Sequence, residues 1–481
     1  MAARDEFSIP GYVLDWLSGL GTPYTSMDGL ISEWWGWYTA SSKWYRRVGF
    51  DYQRKRKRRY RLYTLHPARR VCREWASLMF DDGTSFTARA ARADSWLKRW
   101  AADTRLLVVG KRCSERAFAL GTGAIALWFE VPEDASLPVR VRPRRYDARM
   151  MVPLSWDDDE VSACAFVTAA FVGGRRVTQA CAHVPVAETG TYHVLTRMWD
   201  SRGAVVEDGS IIPDLDTLQP LPTFAVMRPA LDNCVADSSP LGVSVFHDAV
   251  DACKAVDEAF DACVRELLVC KPRLFVSDDL LQVVDDGGRR IVVPSAPEET
   301  VIRAVAGASG DDMIKTFQPQ LRSDQLARML DEAKAQLGDL TGFGSDYFCS
   351  DRQGGLKTAT EVAADSSALM RNLANHEAEA GSTLSRTLSA AVSCARSLCG
   401  ADVEEDFGGV TVSWDDSIVE DTPAEKAQMQ AEIAAGIAAP WEYRARFYGE
   451  PEDVARERAA EAGGGVASAM PALDGAFGTS L

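Results

Sequence analysis

Apolar residues recur at intervals of three and four along three long stretches of the chain, and each predicts an amphipathic helix. The first spans about 243 to 268, where Phe246, Val250, Cys253, Val256, Phe260, Val264 and Leu267 share one side and Asp248, Asp251, Glu258 and Asp261 take other faces. It ends before "CKPRLFVSDDLLQVVDDGGRRIVVP", because Pro272 disfavours continuation and the next residues are β-branched and apolar. The second runs from about 323 to 340, with Leu326, Leu330, Ala333, Leu337 and Leu340 on one side. The third opens at "TATE", where Thr358 and Glu361 have capping-box spacing, and extends to Leu398. That is roughly 60 Å at about 1.5 Å per residue, with Gly381 offering a bend. Between the first two helices, "RLFVSD" and "RRIVVP" read as strands whose edges are open to pairing, and Asp286, Gly287 and Gly288 mark a hairpin turn.

The first 235 residues or so carry mixed α and β patterning. "LISEWWGWYTASSKWYRRV" is aromatic and helix-like, with Trp34, Trp37 and Trp44 on a shared face. "VCREWASLMF" and an amphipathic stretch around "ARADSWLKRWAADT" precede the strand-like runs "AIALWFEV", "SACAFVTAAFV" and "TYHVLTRMW". Pro and Asp punctuate "IIPDLDTLQPLPTF", which reads as a connector out of this part. Beyond the third long helix, "GGVTVSWDDSIVED" reads as a strand with an acidic exit. Helical stretches come next over about 423–436 and 440–461, then a disordered tail from 463 to 481. No internal repeat is present in the sequence.

Charge sharpens this picture. With 481 residues, 46% of them hydrophobic, the chain can bury a large core and has room for two to four domains. A formal charge of −16 excludes a protein whose whole surface is built to hold nucleic acid. The charge is unevenly spread: Lys43 to Arg73 holds 13 Lys or Arg against Asp51 alone, whereas Ala401 to Ala462 holds 16 Asp or Glu against five basic residues. The 11 cysteines lack zinc spacing and suggest free thiols in a reducing compartment. "MAARDEFSIPGYVLDW" has an acid pair where a secretory signal has its apolar core, and no apolar run approaches membrane-helix length. The expectation is a soluble protein made in the cytoplasm, without membrane, metal or cofactor.

Four motifs invite chemistry. "RKRKRRYR", with Arg54, Lys55, Arg56, Lys57, Arg58 and Arg59, offers phosphate contact by counterion displacement; its alternative is a solvated strand that repels itself unless an acidic neighbour covers it. "GTGAIA" at 121–126 fits a dinucleotide fingerprint, but the glycines lead into the strand itself and not into the helix the motif needs. Asp157 to Glu160, and the pair Asp415 and Asp416, could hold Mg²⁺ for phosphodiester hydrolysis. His66, His183, His193, His247 and His376 lie far apart, and no nucleophile elbow accompanies them. No catalytic residue is expected.

The order of segments from 240 to 460 resembles a known family. "LGVSVFHDAVDACKAVDEAFD", "KTATEVAADSSAL" and "SWDDSIVED" with "EKAQMQAEIAAG" after it are similar to the first stem helix, the long wing helix and the C-terminal strand, acidic turn and helix of tailed-bacteriophage portal proteins of the siphovirus type. "SSKWYRRV" and "LHPARRVCREWASLMF" match the family's wing more loosely.

The resemblance implies an α+β portal fold. Its parts are a wing over 1–239, stem helices over 240–269 and 320–341, a strand-containing clip over 270–319, a tunnel loop over 342–357, a long helix and strand of the wing over 358–415, and a helical crown over 416–462. It implies a ring of about twelve subunits at one capsid vertex. Double-stranded DNA would enter and leave through this ring, and the partners would be the terminase large subunit, a head-tail adaptor, the major capsid protein and scaffold. In the tunnel loop Gly344, Gly354 and Gly355 permit a mobile backbone, Tyr347 and Phe348 offer bulk toward DNA or a neighbouring loop, and Arg352 and Lys357 reach phosphates. Asp285, Asp286, Arg289 and Arg290 mark the clip's docking turn. A different capsid-associated structural protein and an Mg²⁺-dependent nuclease are the alternatives. The chain has no Gly-x-x-x-x-Gly-Lys-Ser/Thr, which fits a motor carried by a separate terminase.

Overall fold

In the computed structural model the chain divides into two units, Met1–Trp414 and Asp415–Leu481. The described residues are 9–51, 55–80, 83–130, 139–158, 160–208, 211–271, 273–276, 283–284, 290–291, 301–303, 314–349, 359–404, 409–414, 429–435, 438–448, 455–456 and 458–459. The first unit opens with α1 (Gly11–Leu17), α2 (Asp28–Tyr38), a 3-10 turn over Lys43–Tyr45 and the hairpin β1 (Arg46–Asp51) and β2 (Arg56–Arg61). Next come α3 (Pro67–Met79), β3 (Ser85–Ala88), α4 (Ala91–Thr104) and α5 (Leu106–Leu120). The strands β4 (Gly123–Glu130), β5 (Arg140–Asp147), β6 (Met151–Asp157), β7 (Glu160–Val172), β8 (Arg175–Val186), β9 (Thr191–Trp199), β10 (Asp214–Asp216) and β11 (Phe224–Met227) come after them. Helix α6 (Val250–Val269) precedes β12 (Arg273–Val276), β13 (Val283–Val284), β14 (Arg290–Ile291), β15 (Val301–Arg303) and β16 (Ile314–Phe317). Helices α7 (Ser323–Leu340) and α8 (Ala359–Ser397) and strand β17 (Val410–Ser413) complete the unit.

Small apolar residues on alternate positions build the largest sheet, which runs in the order β10-β9-β8-β7-β6. Ala163, Ala165 and Val167 of β7, with Ala180, Ala182 and Val184 of β8, face Val13 and Leu17 of α1. Their neighbours Cys164, Phe166 and Cys181 point the other way, into the main core. A smaller sheet, β11-β4-β5, packs against α5 and α8. Strand β17 pairs with β3 from Val410↔Ala88 to Ser413↔Ser85, which ties the end of the unit to its N-terminal third.

Helices α6 and α7 are antiparallel. Arg322 pairs with Glu266 at 2.9 Å, and the Cys263 and Cys270 thiols donate to the carbonyls of Leu326 and Gln320. The short strands lie between the ends of this pair in sequence. Strand β12 sits between β15, parallel to it, and β16, antiparallel to it, while β13 and β14 form a separate hairpin.

Several expectations change. The first long helix starts at Val250 and not near 243, because Ser244 is tied down outside it: its hydroxyl accepts from the nearby Phe246 amide and donates to the distant Phe118 carbonyl at 3.1 Å. Leu267 and Leu340, expected on apolar sides, are 61% and 55% exposed. Helix α2 ends at Tyr38, so Trp44 reaches Trp37 from the 3-10 turn, at 5.6 Å between rings, and not along one helix face. "IIPDLDTLQPLPTF" is no exit: β10 and the start of β11 come from it, and it joins the two sheets. Gly381 lies inside the continuous α8, where its missing Cβ makes room for the Trp414 indole, 3.3 Å from the position a Cβ would take. The strand "RLFV" is paired on both sides, so among the described residues the edges of that sheet are β15 and β16. Thr358 of the expected capping box lies outside the described residues.

In the second unit, helical residues 429–434 and α9 (Pro440–Tyr448) fall within the two expected helical stretches. Gln430 Nε2 donates to the Tyr443 hydroxyl at 3.3 Å, and the Arg456 guanidinium lies 4.4 Å from the centre of the Trp441 ring. Asp415, Asp416 and the tail over 463–481 lie outside the described residues.

Candidate functional site

The basic run forms strand β2. Its register with β1 runs from Arg46↔Arg61 to Asp51↔Arg56, and cross-strand partners share a face. One face looks toward α6. There Arg47 Nη2 donates to Glu258 at 2.6 Å, and the Arg265 guanidinium, paired with Asp261, lies 4.5 Å from the centre of the Tyr60 ring. At the base of the hairpin Asp257 is fully buried and accepts from the Tyr45 hydroxyl, the Thr64 hydroxyl and the Leu65 amide, each at 2.8 Å. Asp261 accepts from the Tyr63 amide at 3.0 Å. Burial pushes the Asp257 carboxyl above its ordinary range, against the hydrogen bonds from Tyr45, Leu65 and Thr64 that pull it down. Burial and the Asp257 charge together push the Tyr45 phenol far above its ordinary value.

The opposite face carries Arg46, Val48, Phe50, Lys57, Arg59 and Arg61. Val48 is 63% exposed and Phe50 50% exposed, and Lys55, Arg56, Lys57, Arg58 and Arg59 are all exposed. Arg54 lies outside the described residues. The acidic helix therefore holds one face of the hairpin through Arg47 and Tyr60, while Arg56 and Arg58 on that face and the whole opposite face stay exposed. Asp257, Asp261 and Arg265 recur every four residues on α6, and that spacing is the signal by which sequence reasoning could have found the clamp.

The loop after α7 differs from what the resemblance implies. Phe343 lies tilted against Trp75 of α3 with 4.2 Å between rings, and Tyr347 and Phe348 close around Phe343 at 4.6 and 5.0 Å. Phe343 and Phe348 are each only 3% exposed. Arg70 of α3 lies over the Phe348 ring, and the Tyr347 hydroxyl donates to Glu74. Expected to offer bulk to DNA or a neighbouring loop, Phe348 is buried and Tyr347 half-buried within this chain, because apolar rings beside Trp75 leave water when they pack there. Gly344 does take a left-handed conformation, with φ +87°, and its carbonyl nestles against Gly338. Trp75 Nε1 donates to the Thr341 carbonyl and Asn372 to that of Gly342, which fixes the loop's first half between α3 and α8. Arg352, Gly354, Gly355 and Lys357 lie outside the described residues, as do Asp285, Asp286 and Arg289. Arg290 pairs with Val284 in the β13–β14 hairpin.

The remaining candidates that are described lie apart from one another in the fold. Asp157 and Glu160 face each other across the β6–β7 turn, and Glu160 pairs with Arg386 at 2.5 Å. Gly121 ends α5 with φ +78°, and β4 begins two residues later, so "GTGAIA" is a helix stop. His183 and His376 are buried. His183 meets the Thr223 hydroxyl at 2.6 Å, and His376 accepts from the Ala230 amide at 2.9 Å. Among the described residues no group of His, Cys, Asp and Glu is placed to hold a metal ion, and no helix is long and apolar enough to cross a membrane.

No family model matches the chain, and no curated protein matches it. Among solved structures it is similar to a chain from the neck of a native GTA particle computed with C12 symmetry, with 12% identity over 90% of this chain and 97% of that chain and a TM-score of 0.43. A chain from the neck of an empty GTA particle with C6 symmetry gives 12% identity, 92% and 99% coverage and a TM-score of 0.43. A chain from the virion of a native gene transfer agent particle gives 13%, 92% and 99%, and 0.42.

Proposed function

We propose that this chain is the portal subunit of a tailed bacteriophage: a structural protein that assembles into a ring at one capsid vertex and passes double-stranded DNA. The observation that carries this reading is the antiparallel pair α6–α7, with a small sheet inserted at one end and a loop at the other leading into the 39-residue α8. That arrangement has the order and lengths that the motifs "LGVSVFHDAVDACKAVDEAFD" and "KTATEV" imply for stem, clip, tunnel loop and wing helix. Since Tyr347 and Phe348 contact Glu74 and Arg70 of α3, this reading assigns phosphate contact to the cations Arg352 and Lys357 on their charge alone. Net acidity suits a conduit that must not hold its cargo tightly, since phosphate affinity rises with each cation presented. The insertion between the stem helices serves the terminase and the head-tail adaptor, and the wing meets the major capsid protein and scaffold.

The test is the size and shape of the purified protein. Light scattering and electron microscopy are expected to give a ring with a central hole and about twelve times the 52.5 kDa chain mass. A monomer at all concentrations sinks the portal reading and favours another capsid-associated protein. Mg²⁺-dependent cleavage of DNA would instead favour the nuclease.

A further inference from the structure

We infer that the open face of the β1–β2 hairpin docks on the exposed face of α7 of a second copy of this chain. The hairpin cannot turn that face inward, because its other face is held to its own α6 by Arg47 with Glu258, by Arg265 over Tyr60, and by Asp257 and Asp261 at its base. What it presents is mixed: Val48 and Phe50 stand between Arg46, Lys57 and Arg59. Sequence-independent contact with DNA uses the cations alone and makes no use of the apolar surface exposed on Val48 and Phe50. A protein surface that is both acidic and apolar matches all of them.

The chain itself carries such a surface. Helix α7 turns Ala333, Lys334, Leu337 and Gly338 inward, and its opposite side exposes Gln325, Met329, Glu332, Gln336 and Leu340 in one stripe, with Asp339 beside it and Arg328 at its edge. Met329 and Leu340 are 58% and 55% exposed. Charge obeys the same division, for Asp51 is the one acid of the 69 in the chain that falls in Lys43–Arg73. Two different surfaces of one chain that fit each other make a head-to-tail contact, which repeats from copy to copy and closes into a ring when the rotation allows. The contact needs no ring to exist, but its closure rests on the portal reading.

The experiment uses the full-length protein and two reversals, Lys57→Glu with Arg59→Glu, and Glu332→Lys with Asp339→Lys. All four side chains are exposed, so circular dichroism is expected to match the parent. Mass photometry across a dilution series is expected to show each pair dissociating at a protein concentration at least tenfold higher than the parent, with assembly regained when both pairs are combined. Binding of a random-sequence DNA duplex is measured alongside. A parent that stays monomeric overturns both this contact and the portal reading. A parent ring unaffected by either pair overturns the contact alone. If the hairpin pair keeps its ring and loses only DNA affinity, the face grips nucleic acid and the inference fails. Two weakened single pairs without recovery in the combination also overturn the pairing of these two faces.

Discussion

Two buried histidines make the protein sensitive to acid. His376 packs edge-on against Trp75 and Phe118, with ring centres 4.9 and 5.1 Å away, and burial lowers its pKa to about 4. Burial lowers that of His183 to about 3. The unfolded chain takes up these protons near pH 6.5, and the folded chain resists them until much lower pH. Stability therefore holds above about pH 6.5 and is lost as pH falls toward 4, by about 3 kcal/mol for His376 alone. Denaturant melts from pH 7.5 to 4.5 are expected to show this decline, and His376→Gln to lower overall stability while flattening the slope by close to one proton. An unchanged slope in the variant would mean that His376 titrates as it does in the unfolded chain. Neither site was legible: His183 lies in β8, where residues 179–184 are buried on both faces of the strand, so no alternation sets it apart. Nothing local marked His376, because what buries it is α3 and α5, elements hundreds of residues away in the chain.

At the scale of elements, the helix expected over about 323–340 is α7, because its apolar positions recur at helical spacing up to Leu337, just before the glycine-rich loop. The loop itself was not legible. Its composition showed glycines and aromatics, but whether Tyr347 and Phe348 point inward depends on Trp75, which no spacing in the loop can reveal. What shapes the turn is Gly338, whose carbonyl accepts from the Phe343 and Gly344 amides at 2.9 and 3.2 Å. A Cβ at Gly338 would sit 2.3 Å from the Gly344 carbonyl oxygen, a backbone atom that cannot swing aside. Gly338→Ala is expected to cost about 1–3 kcal/mol and to speed amide exchange over 341–349 while α6 keeps its protection. Parent-like exchange in this segment would show that the loop is held by its aromatic rings alone, without the close approach at Gly338.

For the whole molecule, the distribution of acids and bases in the sequence foretold an uneven surface, but only the fold shows that α6 carries the acids that meet the basic hairpin. It also shows how separable the insertion over 272–319 is. The chain leaves α6 and re-enters α7 at neighbouring points, since the Cys270 thiol reaches the Gln320 carbonyl and Glu266 holds Arg322. A short Gly-Ser linker can thus span the gap at little entropic cost, because closing a short loop differs from closing a long one by only about 0.6 kcal/mol per doubling of length. The helix pair is expected to form without the insertion, since Ala252, Val256 and Ala259 on α6 and Ala333 and Leu337 on α7 are buried in the body of the unit. On the portal reading proposed above, replacing 272–319 with such a linker should preserve helicity and ring assembly while abolishing binding of a terminase and an adaptor, read by co-sedimentation with each purified partner. Among the described residues β15 and β16, and not β12, have an unpaired edge, and on the same reading these are the strands a partner would extend. If the shortened chain still binds both partners, docking lies elsewhere on the subunit. A folded chain that no longer assembles would instead make the insertion part of the contact between subunits, and the exposed Leu267 and Leu268 at the end of α6 would then be the place to look for it.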